Sequence, residues 1–131
     1  MDDRQKELSN CRLHQAEESL KASSNCFENK FYKDAINRSY YSVFYYVKAV
    51  LSLGSIDFKR HKDVIGYFNK EYVATGVFPR AMGRKISILK QIRENSDYDD
   101  FYIASKDEAY EQMETASLIL KMVKEYLKAN Q

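Results

Sequence analysis

The sequence predicts an all-α protein, an antiparallel helical bundle of three long and two shorter helices in a single domain over residues 1–131. Three observations support this. There are only one proline and four glycines among 131 residues, so few positions interrupt a helix. Apolar residues recur every three or four positions, as on one face of a helix. Alternation of apolar and polar residues, which is typical of strands, never persists.

The first two helices form the N-terminal half. An inner stripe of apolar residues predicts a first helix over residues 4–26; the stripe consists of Leu13, Ala16, Leu20 and Phe27. Asn29 is expected to cap the second helix, since asparagine is a preferred N-cap residue. This helix is predicted from about Lys30 to Leu53, where Gly54 ends it.

The remaining helices follow at shorter intervals. A third helix is predicted from about Arg60 to Ala74, and a fourth begins at Pro79 and runs to about Asn95. Residues 95–104 are expected to be irregular, acidic and aromatic. Ser105 and Glu108 form a capping-box pattern that opens the last helix. The regular spacing of this helix is the clearest in the chain: Ala109, Met113, Ala116, Leu120, Val123 and Leu127.

Composition excludes several classes of protein. The net charge is +2, from 21 basic and 19 acidic residues, whereas a protein that binds duplex DNA normally has a strong basic excess. The longest apolar stretch, residues 43–53, contains a lysine and is too short to span a bilayer. No apolar run follows the first four residues, so no signal peptide is predicted and a cytoplasmic location is expected. Cys11 and Cys26 are expected to be free thiols, and no metal or cofactor is predicted.

The second helix has an unusual surface opposite its apolar face. Where a polar, solvated surface is expected, it has Arg38, Tyr41, Tyr45 and small residues. Such a surface is usually covered by another helix, a second subunit or a ligand. We therefore predict a homodimer, because exposed patches of this kind usually mark interfaces.

Three segments carry a family resemblance: residues 38–44 (RSYYSVF), 59–65 (KRHKDVI) and 93–98 (RENSDY). Together they resemble the HEPN domain of prokaryotes over about residues 10–128. The resemblance implies a helical bundle that pairs into a homodimer through its long helices. It also implies a nucleotidyltransferase partner in a toxin–antitoxin pair, and for many members metal-independent ribonuclease activity. Their motif is an arginine and a histidine with four to six residues between them. After Arg38 the six-residue spacing falls on Tyr45, so the histidine is absent.

The candidate site residues follow from these segments. The catalytic candidates are Arg38, which would stabilise phosphate charge, Tyr45 at the motif position, and His61, the histidine that could transfer a proton in its place. A tyrosine hydroxyl is a weak base near neutral pH because its ordinary pKa is about 10. The candidates for binding RNA or a nucleotide are Arg38, Tyr41, Lys59, Arg60, Lys62 and Arg93.

Each candidate also has a structural interpretation. Arg38 can pair with an acidic residue while Tyr45 packs in a dimer interface, and Arg93 can form an ion pair with Asp97, four residues on. The cluster at residues 59–62 can be a solvated first helical turn. His14 is interpreted as a surface histidine.

We therefore predict a HEPN-type toxin–antitoxin component that binds RNA or a nucleotide through a slot at the dimer interface. Because the motif histidine is replaced by Tyr45, the prediction leaves ribonuclease activity open. Two alternatives remain: a non-catalytic module that binds RNA or a nucleotide, and a dimeric interaction module that binds a nucleotidyltransferase partner.

Overall fold

The computed structural model describes residues 3–54 and 61–131, with side chains from residue 63 onward in the second range. The described residues form five α-helices and no strand, which confirms the all-α bundle. The helices are α1 (Asp3–Glu28), α2 (Tyr32–Leu53), α3 (His61–Phe68), α4 (Arg80–Tyr98) and α5 (Lys106–Asn130). A single π-helical turn, Asn69–Val73, continues directly from α3.

α2 is the central element and packs against each of the other four helices. Most of its residues are buried, including Tyr40, Tyr46 and Val47, which are at most 1% exposed. α1 and α4 both run antiparallel to α2: Ser9 of α1 bonds to Ala49, near the end of α2, and Asp97 of α4 bonds to Asn37, near its start. α5 runs antiparallel to α1, because Lys124 pairs with Glu17 and Tyr110 contacts Phe27.

The turn between α1 and α2 differs from the prediction. Asn29 does not cap α2; its side-chain amide donates to the Asn25 carbonyl at 2.8 Å, and Phe31 occupies the N-cap position. Lys30 adopts a left-handed conformation with φ of +67°, and the Phe31 and Lys30 amides donate to the carbonyls of Cys26 and Phe27. These bonds form a Schellman motif, so the residues after α1 complete that helix rather than begin the next.

Three other helix ends shift by a few residues. α1 continues to Glu28, two residues past the predicted end, and the α-helical part of α3 stops at Phe68, where the π turn begins. α4 continues to Tyr98 instead of ending near Asn95, because Arg93 and Asp97 pair across its last turn. The predicted start of α5 is confirmed: Ser105 is the N-cap and its Oγ accepts the Glu108 amide at 3.0 Å.

The surface of α2 that motivated the homodimer prediction is covered within the same chain. Ala49 and Ser52 of this surface are buried, and α1 covers them: Ser9 Oγ donates to the Ala49 carbonyl, and Arg12 Nη1 donates to Ser52 Oγ at 3.4 Å. Only the part around Arg38, Tyr41 and Tyr45 reaches solvent. The homodimer remains a prediction, but this surface is no longer the reason for it.

The two cysteines are unbridged, as predicted; Cys11 is exposed and Cys26 is half-buried. No helix in residues 3–54 or 61–131 is both long and apolar enough to cross a bilayer.

Candidate functional site

An open cleft of about 470 Å³ lies between α1 and α2, at the part of α2 that reaches solvent. It brings together three of the predicted site residues, Arg38, Tyr41 and Tyr45. The complete lining is His14, Gln15, Glu18, Ser19, Asn37, Arg38, Tyr41 and Tyr45. Polar, basic and aromatic groups therefore meet in one concave surface.

Two buried serines of α1 set the register that forms this cleft. Ser9 Oγ donates to the Ala49 carbonyl and Ser23 Oγ donates to the Ala35 carbonyl, each at 2.8 Å. Small side chains let the two helix backbones approach closely, and each buried hydroxyl finds a backbone partner. Because both ends of the hairpin are fixed, the residues between them meet in a defined antiparallel order, and His14 is brought into the same cleft as Tyr45.

Arg38 is the exposed cation of the cleft. None of the described residues forms an ion pair with it, so the predicted structural role, pairing with an acidic residue, receives no support. A guanidinium presents a fixed fork of donors that matches the oxygens of a phosphate. The group is therefore free to bind an anion.

The tyrosines beside Arg38 are held by other aromatic rings. Tyr41 packs edge-on against Tyr40 and Phe44 at 5.3 and 6.3 Å between ring centroids, and Tyr45 packs edge-on against Phe44 at 5.6 Å. Edge-to-face contacts of this kind fix ring orientation. Both rings are half-buried, so each keeps part of its surface available to a planar ligand.

His14 is the site residue that sequence reasoning missed. Its Nε2 lies 3.4 Å from Glu18 Oε1, one helical turn away, and both side chains are well exposed. A carboxylate beside an imidazole accepts the ring N–H and so orients the ring. The short turn between the first two helices could have identified His14 from the sequence. Two helices joined by a short turn pack antiparallel, and this pairing places His14 of α1 opposite the part of α2 that contains Tyr45.

Arg93 has a different environment from Arg38. It is 8% exposed, and its guanidinium lies over the rings of Tyr40, Tyr41 and Tyr98 at 4.7, 5.6 and 5.9 Å. Its Nη1 is 3.6 Å from Asp97 Oδ2, the same oxygen that accepts Asn37 Nδ2 at 3.2 Å. Burial raises the pKa of Tyr40, while the nearby Arg93 charge opposes that rise. Arg93 does not line the cleft, but it packs against Tyr41 and, through Asp97, holds Asn37, and both of these residues do line it.

Four predicted site residues cannot be placed. Lys59 and Arg60 lie outside the described residues, and so do the side chains of His61 and Lys62 at the start of α3. Their predicted roles in catalysis and RNA binding stay predictions. Within the described part of the chain, no group of three or more histidine, cysteine, aspartate or glutamate side chains is arranged to hold a metal ion.

Comparison with known proteins gives one family and several relatives. The family model of the HEPN domain matches residues 10–126. Two proteins of Methanocaldococcus jannaschii, both carrying the name "Putative toxin", are similar to this chain. One is 35% identical over 115 residues, which is 88% of this chain and 78% of the relative. The other is 39% identical over 83 residues, 63% of this chain and 62% of the relative.

Proposed function

Because the chain belongs to the HEPN domain family, we propose that it is a toxin-type component of a toxin–antitoxin pair that binds RNA in the cleft between α1 and α2. The names of the two archaeal relatives support the toxin role. The observation that carries the RNA proposal is the meeting of an unpaired exposed arginine, two oriented tyrosines and a histidine in one open cleft.

The cleft residues suit the parts of a nucleotide. Arg38 offers a charged fork to a phosphate, and the half-buried faces of Tyr41 and Tyr45 offer surfaces on which a base stacks. Base stacking on aromatic side chains tolerates different sequences, since every base has a flat face. The volume of about 470 Å³ lies within the range of small-ligand sites and fits one or two nucleotides of a strand rather than a duplex.

We further propose that His14 is the proton-transfer group for any RNA cleavage by this cleft. Metal-independent cleavage needs a base that takes the proton from a 2′-hydroxyl, and histidine suits this near neutral pH better than Tyr45 does. Glu18 would hold the imidazole in place, and Arg38 would stabilise the charge that develops on the phosphate. This assigns to His14 the role that sequence reasoning gave to His61.

The test of binding is the affinity for a fluorescein-labelled single-stranded RNA, measured by anisotropy. Arg38→Ala is expected to weaken binding about tenfold, the loss of one charge-assisted contact. The matched control is Lys33→Ala, which removes an exposed cation of α2 that does not line the cleft and should leave affinity within about twofold. Equal losses from both variants would indicate non-specific attraction, and no loss from Arg38→Ala would remove the cleft as the site.

A second candidate function is favoured by exposed apolar residues away from the cleft. Tyr98, Phe101 and Ile103 are 76%, 92% and 88% exposed, which is typical of a surface that binds another protein. In this alternative the chain is a non-catalytic dimeric interaction module whose partner is a nucleotidyltransferase. Absence of binding of both RNA and free nucleotides to the wild type would favour this role over the first.

A further inference from the structure

One amide of the cleft is held in a single orientation. Asn37 lines the cleft, and its Nδ2 donates a hydrogen bond to Asp97 Oδ2 of α4 at 3.2 Å. An ionised carboxylate has only acceptors, so the amide nitrogen of Asn37 faces Asp97 and the carbonyl oxygen points away from it. The wall of the cleft therefore contains a hydrogen-bond acceptor, Asn37 Oδ1, whose direction is set by the contact between α2 and α4.

Asp97 is itself held in place from the interior of the bundle. The same Oδ2 atom lies 3.6 Å from Nη1 of Arg93, which is 8% exposed. The guanidinium of Arg93 packs over the rings of Tyr40 and Tyr41, at 4.7 and 5.6 Å from the ring centroids. Because a guanidinium only donates, Asp97 Oδ2 accepts from both neighbours. A chain of contacts thus runs from the core through Asp97 to the amide of Asn37.

Asn37 is close to the groups that suit a nucleotide. Asn37 and Tyr41 are four residues apart on α2 and so are neighbours on one helix face, and Arg38 lines the same cleft. A base that stacks on Tyr41 while its phosphate binds Arg38 turns an edge toward Asn37. Bases of single strands are read by hydrogen bonds to their edges. An acceptor of fixed direction favours an edge that donates a hydrogen bond.

We propose that Asn37 makes the cleft selective for bases with an exocyclic amino group, with Asp97 as its positioning residue; this inference rests on the proposed binding of RNA. Cytosine N4 and adenine N6 donate, and Asn37 Oδ1 accepts. Uracil has the carbonyl oxygen O4 where cytosine has its amino group, so two acceptors would face each other. The N–H of uracil lies between two carbonyl oxygens, which Asn37 Oδ1 would also approach. Strands of cytidine or adenosine should therefore bind more tightly than strands of uridine.

The test compares fluorescein-labelled tetranucleotides of cytidine and of uridine by anisotropy. Wild type is expected to bind the cytidine strand about fivefold more tightly, which is the effect of one net hydrogen bond. The two strands have the same phosphates, so non-specific attraction contributes equally to both affinities. A second pair compares adenosine with purine ribonucleoside, whose base lacks only the amino group. The same preference of about fivefold is expected for the strand that keeps the amino group.

Three variants separate the acceptor from its positioning residue. Asn37→Ala should bring the affinity ratio of the cytidine and uridine strands close to one. Asp97→Ala should do the same, because the released amide of Asn37 can turn its nitrogen toward uracil O4. Asp97→Asn should keep the ratio near fivefold, since its side-chain oxygen still accepts from Asn37 and is held by Arg93, which only donates.

The matched control is Asn95→Ala, which removes an exposed amide of α4 that does not line the cleft. Its affinity ratio should stay within about twofold of the wild-type ratio. A substitution that only loosened the helices would weaken the binding of both strands alike and leave the ratio unchanged. The ratio therefore reports the direction of the amide rather than the stability of the fold.

Equal affinity of wild type for the cytidine and uridine strands would overturn this inference and leave RNA binding in the cleft intact. A preference that persists in Asn37→Ala would also overturn it, because the selectivity would then come from another residue. A ratio that Asp97→Ala leaves at the wild-type value would remove the positioning role of Asp97. If wild type binds neither strand, the proposed function fails and this inference fails with it.

Discussion

Two arginines lie near Tyr41, and their surroundings assign them different tasks. Arg38 is exposed in the cleft, whereas Arg93 is buried over three tyrosine rings and paired with Asp97. We expect Arg93→Ala to lower the free energy of unfolding by about 2 kcal/mol, because it removes a buried guanidinium that packs over three tyrosine rings. Arg38→Ala should change it by less than about 0.5 kcal/mol, as for most surface substitutions.

Urea denaturation of both variants, together with their RNA affinities, checks whether Arg93 stabilises the fold and Arg38 binds the ligand. Arg93→Lys adds a sharper comparison, because an ammonium keeps the charge but loses the flat guanidinium that stacks on the rings. It should be less stable than wild type by more than about 1 kcal/mol. An Arg93→Ala variant with unchanged stability and lost RNA affinity would instead place Arg93 in the binding site.

The tyrosines are expected to make the free energy of unfolding decrease at high pH. Burial raises the pKa of Tyr40, Tyr46 and Tyr72; burial and then the hydrogen bond to Glu108 raise the pKa of Tyr102 to about 12. Because these pKa values are higher in the folded state, their contribution to stability is complete below about pH 10. It declines as pH rises from there through the folded-state pKa values.

Urea titrations at about pH 9, 10 and 11 should show this decline in the free energy of unfolding. Tyr102→Phe is expected to make the decline less steep, since it removes one of the groups responsible. Equal slopes for wild type and Tyr102→Phe would contradict the role of Tyr102.

Cleavage of RNA separates the three candidate proton-transfer residues. Wild type is expected to cleave a single-stranded RNA slowly or not at all, and any cleavage should disappear in His14→Ala but persist in His61→Ala. Tyr45→His places an imidazole at the family's motif position, beside Arg38, and should raise the rate if the cleft has the geometry for cleavage. Loss of activity in His61→Ala alone would move the proton-transfer group to the start of α3.

Among the elements, the α1–α2 turn shows where sequence patterns lose information. The apolar periodicity predicts both helices, but the cap falls at Phe31 rather than Asn29. Asn29 satisfies the usual cap preference, yet the backbone uses the residues after α1 to close that helix. The π turn after α3 is similarly invisible in the apolar pattern, since it inserts one residue into a continuous helical face.

Lys30 has an unfavourable backbone conformation that glycine would relieve. A side chain at φ of +67° costs about 1–2 kcal/mol, whereas glycine adopts this region freely but gives the unfolded chain more freedom. Lys30→Gly should therefore raise the free energy of unfolding by about 0.5–1 kcal/mol. The matched control, Lys21→Gly in the interior of α1, should lower it by about 1 kcal/mol. Changes of the same sign in urea denaturation would contradict the Schellman geometry.

At the scale of the whole molecule, the sequence predicts the bundle but only part of the site. The spacing within α2 predicts that Arg38, Tyr41 and Tyr45 share a face, and they do. It does not predict which helix covers the rest of that face, because periodicity describes each helix separately. α1 fills the place that we had assigned to a second subunit, and the same packing brings His14 from another helix into the cleft.

The central position of α2 leads to a last prediction about cooperativity. α2 contacts all the other helices, so the hydrophobic core is incomplete as soon as any one of them separates from α2. We therefore expect residues 1–131 to unfold as one cooperative unit. Helix loss measured by circular dichroism and exposure of the buried tyrosines measured by fluorescence should give the same urea midpoint; the chain has eleven tyrosines and no tryptophan to obscure them. If the predicted homodimer forms, this shared midpoint should rise with protein concentration. Two separate transitions at one protein concentration would mean that the chain contains more than one folding unit. The α1–α2 hairpin would then be the unit expected to unfold last, because its two helices have the most extensive contact.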